Sequence, residues 1–149
     1  MAYDVEIVEV EAHAVAIARG RAEMGKVPEQ FMPLLNKVWA VVRTLGVEPI
    51  GRNVALYRFR DGGLDLEIGV EVGAAFETAG DVVASTTPAG RSLRTLHTGS
   101  YNGIRQATDA VIAFARTNAL ATTGLSWEIY GDWNEDESKL QTWIHFQLA

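Results

Sequence analysis

Glu128 stands between Trp127 and Ile129, two residues before Tyr130, in a run from Ser126 to Tyr130 that reads as a β-strand. A carboxylate held among rings is incompletely solvated and attracts a cation that can also stack on ring faces. In the last strand-like run, Gln141 to Leu148, alternation sends Thr142, Ile144, Phe146 and Leu148 toward a core and turns Trp143 and His145 the other way. With Trp127 and Ile129 taken as the core pair of the neighbouring strand, Glu128 and Tyr130 are expected beside Trp143 and His145. Tyr57 and Phe59 share a parity opposite to Leu56 and are expected at the corresponding place in the first half of the chain, where Ala14, Ala16 and Ala18 leave room. The expected site is therefore an acid in an aromatic cleft, on the sheet face away from the helices.

Each of these residues also has an ordinary packing role open to it. Aromatic residues favour strands whether or not they bind anything, and Glu128 could lie in water or pair with Arg58. Trp39 reads as core, Trp133 as a residue of a polar loop that is either a lid or a packed anchor, and Glu67 and Glu71 as solvated charges on a sheet face. His13, His97 and His145 lack ligand spacing, so no metal is expected. Asp132, Asn134 and Asp136 begin like a calcium loop, but Glu137 occupies the place of the turn glycine and Trp143 that of the bidentate acid. There is no phosphate loop, no HExxH and no Gly-x-Ser-x-Gly, since Ser100 in Gly99-Ser100-Tyr101-Asn102-Gly103 comes one place too early. No cofactor is expected.

The 149 residues suit one domain, and 48% hydrophobic content is enough to bury a core. A formal charge of −6 repels phosphate backbones and anionic membranes, so neither nucleic acid nor a membrane is an expected partner. The absence of cysteine rules out disulfides and thiolate chemistry and suits a reducing cytoplasm. The N-terminus lacks a signal-peptide pattern, and no stretch is long enough to span a bilayer.

Strands are expected at Tyr3–Val10 and His13–Arg19, followed by a helix between the Pro28 and Pro33 start signals and Leu45, with Gly46 as its stop. Val54–Arg60 and Leu66–Val72 form a hairpin around Asp61-Gly62-Gly63. Gly73–Gly80 is a connector. The order then returns: strands at Val82–Ser85 and Arg91–His97, a helix from Ile104 to Ala115 with Ser100 as N-cap, and strands at Ser126–Tyr130 and Gln141–Leu148. The expectation is an α+β domain of two β-β-α-β-β repeats, residues 1–72 and 82–149. They are related by a pseudo-two-fold, with an antiparallel sheet, two helices on one face and a central ligand cleft.

Thr87-Pro88-Ala89-Gly90-Arg91, His97-Thr98-Gly99-Ser100-Tyr101 and Trp127-Glu128-Ile129-Tyr130, with Ala55-Leu56-Tyr57-Arg58 and Leu66–Val72, occur in an order and spacing that resemble the gyrase-inhibitor-like (GyrI-like) small-molecule-binding domain. That domain is also the effector-binding domain of AraC-type and MerR-type multidrug regulators. The resemblance covers nearly the whole chain. It implies paired strand-helix-strand-strand modules and a cleft for bulky, aromatic, often cationic molecules. By resemblance, Glu128 lies at the base of that cleft and Tyr57, Tyr101 and Tyr130 form its walls. Ser100 replaces a proline common in the family, and Asp132-Trp133 replaces an acid-proline pair.

Both helices are needed to cover the sheet, which leaves none for a helix-turn-helix. The first expectation is a stand-alone binder of aromatic cations, for sensing, sequestration or resistance. The second, drawn from the resemblance, is a hydrolase of strained cyclopropanes with Glu128 as base and Tyr101 or Tyr130 as proton donor. The third is a protein that modulates gyrase by contact. A homodimer or protein partner stays open.

Overall fold

The computed structural model describes residues 3–149. The alternating runs form eight strands: β1 Glu6–Val10, β2 Ala14–Glu23, β3 Asn53–Arg60, β4 Gly63–Glu71, β5 Val82–Thr86, β6 Gly90–Thr98, β7 Thr122–Tyr130 and β8 Gln141–Leu148. The two helical patterns form α1 Pro28–Trp39 and α2 Ile104–Thr117. All strands join one antiparallel sheet in the order β1-β6-β8-β7-β3-β4-β2-β5. The β3–β4 reversal falls at the expected Asp-Gly-Gly sequence, with positive φ at Asp61 (52°) and Gly62 (76°), while Gly63 already opens β4.

The equivalent strands β3 and β7 pair at the centre of the sheet, where the two repeats meet. The first strand of each repeat crosses to the other: β1 pairs with β6, and β5 with β2. At the crossing, the Thr87 amide donates to the His13 carbonyl (2.9 Å) and the His13 amide donates to Thr87 Oγ1 (2.9 Å). The repeats are thus interlocked at both edges.

The first helix is shorter than its apolar periodicity predicts. Pro33 lies inside α1, which begins at Pro28 and ends at Trp39; the chain then tightens into a 3-10 turn at Val42–Thr44 before Gly46 takes φ +68°. Trp39 secures this exit, donating from Nε1 to Asn53 Oδ1 (2.9 Å) while Arg43 lies over its ring at 4.9 Å.

Both sheet faces carry a core, contrary to the single buried face that the parity reading assumes. Leu34, Leu35 and Val38 of α1 pack on Ala16, Ala18, Leu66, Ile68 and Val70 of the sheet. Ala107, Val111 and Ala115 of α2 pack on Leu93, Ile144 and Leu148. On the helix-free side Val15, Ile17, Val54, Leu56 and Trp127 form a third cluster, joined by Val10 from one edge strand and Val83 from the other. Residues from opposite edges meet only if the sheet curls around its helix-free face, which therefore buries side chains without a covering helix. Close strand packing there leaves no room at Gly69, where a Cβ would lie 1.8 Å from the Ala16 carbonyl oxygen.

Candidate functional site

The β3–β7 register decides which side chains share a side: Ala55 lies opposite Glu128, and Leu56 opposite Trp127. Glu128, Tyr130 and Tyr57 consequently project toward the helices. The Tyr57 hydroxyl donates to Glu128 Oε1 at 3.0 Å, and the Tyr130 hydroxyl donates to the same oxygen at 2.5 Å. Oε2 accepts no hydrogen bond, and no Lys, Arg or His forms an ion pair with Glu128 among the described residues.

Rings enclose this carboxylate. Phe31 of α1 meets Tyr130 edge-on at 5.5 Å, and Tyr101, from the turn before α2, meets it edge-on at 5.9 Å. Tyr101 is 44% exposed and stands at the mouth between the helices. Burial pushes the Glu128 carboxyl above its ordinary value, while the two phenol hydrogen bonds favour ionisation and offset part of that shift. Burial, with the charge of Glu128 second, holds the Tyr57 and Tyr130 hydroxyls well above theirs, so both stay protonated donors.

His97 positions Tyr101. Its Nε2 is 2.8 Å from the Ser100 carbonyl oxygen and must donate, which leaves Nδ1 to accept from the Tyr3 hydroxyl at 2.9 Å. The ring packs so closely under the turn that a Cβ on Gly103 would lie 2.7 Å from His97 Cε1. Ser100 caps the turn Tyr101–Gly103, accepting from the Asn102 amide at 3.3 Å, and this turn leads directly into α2.

The expected grouping with Trp143 and His145 does not form. Glu128 pairs in register with Ile144, and Trp127 with His145, so Trp143 and His145 share the helix-free face with Trp127 and Ile129. The parity assignment within the last strand is correct. The error lies in reading Trp127 and Ile129 as helix-side core when they belong to the core on the other face. His145 stacks on Trp127 (4.8 Å, 5° between planes), and Arg94, held by Glu6 at 2.6 Å, lies 4.8 Å over Trp143. Burial and the neighbouring Arg94 lower the His145 pKa to about 4. Arg94, Trp143 and His145 line a groove of about 440 Å³ with Arg52, Glu71 and Ile129, and Glu128, the acid expected beside them, is not part of it.

Phe59 shares the parity of Tyr57 yet is 55% exposed. Arg58 lies on the face opposite Glu128 and cannot pair with it. Ala16 and Ala18 are buried against the α1 core rather than opening space for a ligand. Trp133 is 71% exposed. Phe31 is the wall residue the sequence reading missed. Its spacing to Leu34, Leu35 and Val38 signals the same helix face, but taking Pro33 as a boundary excludes it. Among the described residues, no three His, Cys, Asp or Glu side chains cluster to hold a metal, and no helix is long and apolar enough to cross a membrane.

The sequence matches no protein-family model and no curated protein. Solved structures match along the whole chain. The EcmrR C-terminal domain is 18% identical, with 100% of this chain and 99% of that one covered and a TM-score of 0.79. In an EcmrR–DNA complex the same match spans 58% of the EcmrR chain. SAV2435, in a structure bound to tetraphenylphosphonium, is 14% identical over 100% of this chain and 94% of its own (TM-score 0.64). A hydrolase from Listeria innocua is 11% identical over 99% and 93% (TM-score 0.61). At these identities the likeness is one of fold: this chain shares the α+β fold, an eight-stranded antiparallel sheet with two helices, of the EcmrR C-terminal domain and SAV2435.

Proposed function

We propose that the chain binds bulky aromatic cations at Glu128, as a sensing, sequestering or resistance module. The observation that carries this reading is a half-buried carboxylate walled by rings that, among the described residues, is hydrogen-bonded only by two phenols, with one oxygen unclaimed and no cation paired to it. A ligand that brings both positive charge and ring faces replaces the missing counter-ion and stacks on Tyr101, Tyr130 and Phe31. Each cation–π contact is worth about 0.5 to 2 kcal/mol. The structure of SAV2435 with tetraphenylphosphonium supports the ligand class by analogy of fold. Entry requires Tyr101 and Phe31 to part, since their rings fill the space above Tyr130.

Titration with tetraphenylphosphonium tests the proposal. Glu128→Gln keeps size and hydrogen bonding but removes the charge, and should weaken cation binding by about 1 to 3 kcal/mol while a neutral aromatic of equal size changes little. Equal affinity of the two proteins for tetraphenylphosphonium would return Glu128 to a structural role.

A hydrolytic reading rests on a different feature of the same site, a carboxylate of raised pKa within reach of two protonated phenols, which is an acid–base pair in outline. The Listeria innocua hydrolase shares the fold. For an enzyme, Glu128→Gln should lower turnover of a strained electrophile by about 10² or more with affinity retained.

A further inference from the structure

The helix-free face presents a second groove of about 440 Å³, lined by Arg19, Arg58, Arg60, Ser85, Thr86 and Leu125 among others. Strand parity gathers Arg19 and Arg21 of β2 and Arg58 and Arg60 of β3 on either side of Asp65 and Glu67 of β4. In register, Arg58 and Arg21 both face Asp65. Asp65 is nevertheless occupied by Arg60 (2.7 Å) and Arg21 (2.9 Å), which together hold its carboxyl near a pKa of about 2. Glu67 is taken by Arg19 (3.1 Å) and the Ser85 hydroxyl (2.8 Å). Arg58 is left with no ion pair or side-chain hydrogen bond among the described residues. In a chain of net charge −6, this groove carries a surplus cation.

We propose that this groove is a separate binding site for a small aromatic or amphipathic anion. The anionic head would lie on the Arg58 guanidinium, and the apolar body on Leu56 and Leu125. Four features make Arg58 a site rather than a stray surface charge. It stands on a central strand, its neighbouring carboxylates are spoken for, the groove volume suits a small organic molecule, and half-buried Leu125 gives the groove an apolar wall. Guanidinium binds carboxylates, sulfonates and phosphates with two parallel hydrogen bonds, which a lone ammonium cannot match. The domain then has two sites of opposite charge preference on opposite faces of one sheet.

Two probes with the same rings separate charge from greasiness: 8-anilinonaphthalene-1-sulfonate, an anion, and N-phenyl-1-naphthylamine, which lacks the sulfonate. The native protein should bind the sulfonate saturably, about tenfold or more tighter than the amine. Arg58→Gln should collapse that ratio toward one, Arg58→Lys should retain part of it, and neither change should move tetraphenylphosphonium affinity. Leu125→Glu, at the other wall, should also abolish sulfonate binding and serves if Arg58→Gln does not fold. The proposal is overturned if the native ratio is near one, if the ratio survives Arg58→Gln, or if tetraphenylphosphonium competes with the sulfonate for one site. Because the readout is independent of Glu128→Gln, failure here leaves the cation site standing, and the reverse also holds.

Discussion

On the helix-covered side of the sheet Glu128 keeps a carboxylate oxygen unclaimed among the described residues, beneath two aromatic rings, whereas on the opposite side His145 is stacked flat on Trp127 at the floor of a groove and is buried. Both are titratable groups in adjacent strands, and both sit among aromatics. What separates them is the cover. Near Glu128, Phe31 of α1 and Tyr101 of the turn before α2 both meet the Tyr130 ring edge-on, so moving two rings would open the carboxylate without unfolding a core. Above Trp127 the curled sheet closes on itself through residues from both of its edges. The difference between these two places is thus one of cover: movable rings over Glu128, packed strands over Trp127.

Removing the packed ring should produce the largest effect. Trp127→Ala on the helix-free face should cost about 3 to 5 kcal/mol of unfolding free energy, because the residue is 2% exposed and nothing can collapse into its place. A loss below about 1 kcal/mol in a denaturant melt would mean this face is surface after all.

Acid should expose the next difference. The folded-state pKa of His145, about 4, lies below its unfolded value of 6.5, so the unfolded chain binds the extra proton as pH falls through that window. Stability should drop by at most about 3 kcal/mol between pH 6.5 and 4. His145→Phe, which keeps a ring on Trp127, should flatten the curve there. Glu128 works with the opposite sign: its raised pKa favours protonation in the folded state, so acid relieves its burial. A histidine variant with an unaltered acid profile would show that the imidazole is reached by water.

The proton on Glu128 should also compete with the cation. Tetraphenylphosphonium affinity is expected to fall as pH is lowered, beginning above the ordinary glutamate value of 4.5, and to be flat with pH in Glu128→Gln. Identical pH profiles in the two proteins would detach binding from this carboxylate. The smallest effect belongs to Phe59, which shares the Tyr57 side of the strand but is 55% exposed. Phe59→Ser should change stability and ligand affinity by no more than about 0.5 kcal/mol, and a larger loss of affinity would extend the cation site along β3.

Alternation placed Thr142, Ile144, Phe146 and Leu148 correctly against a helix, and the Asp-Gly-Gly reversal and the repeat order were legible for the same reason: they depend on neighbours in the chain. The grouping of Glu128 with Tyr57 and Tyr130 was legible only in part. Parity along β7 puts residues 128 and 130 together, but which face receives them depends on what covers each face. Phe31 stayed hidden because a helix contributes to the site across space, not along the strand.

Local sequence determined which residues alternate, where the chain reverses, and that two similar halves close one antiparallel sheet; these follow from backbone geometry and apolar spacing over a few residues. The tertiary structure alone decided that β1 and β5 exchange partners, that the sheet curls to bury Trp127 without a helix, and that Glu128 therefore faces the helices rather than His145. Those outcomes rest on register between strands distant in sequence and on the competition of two apolar faces for cover, and no local pattern encodes either.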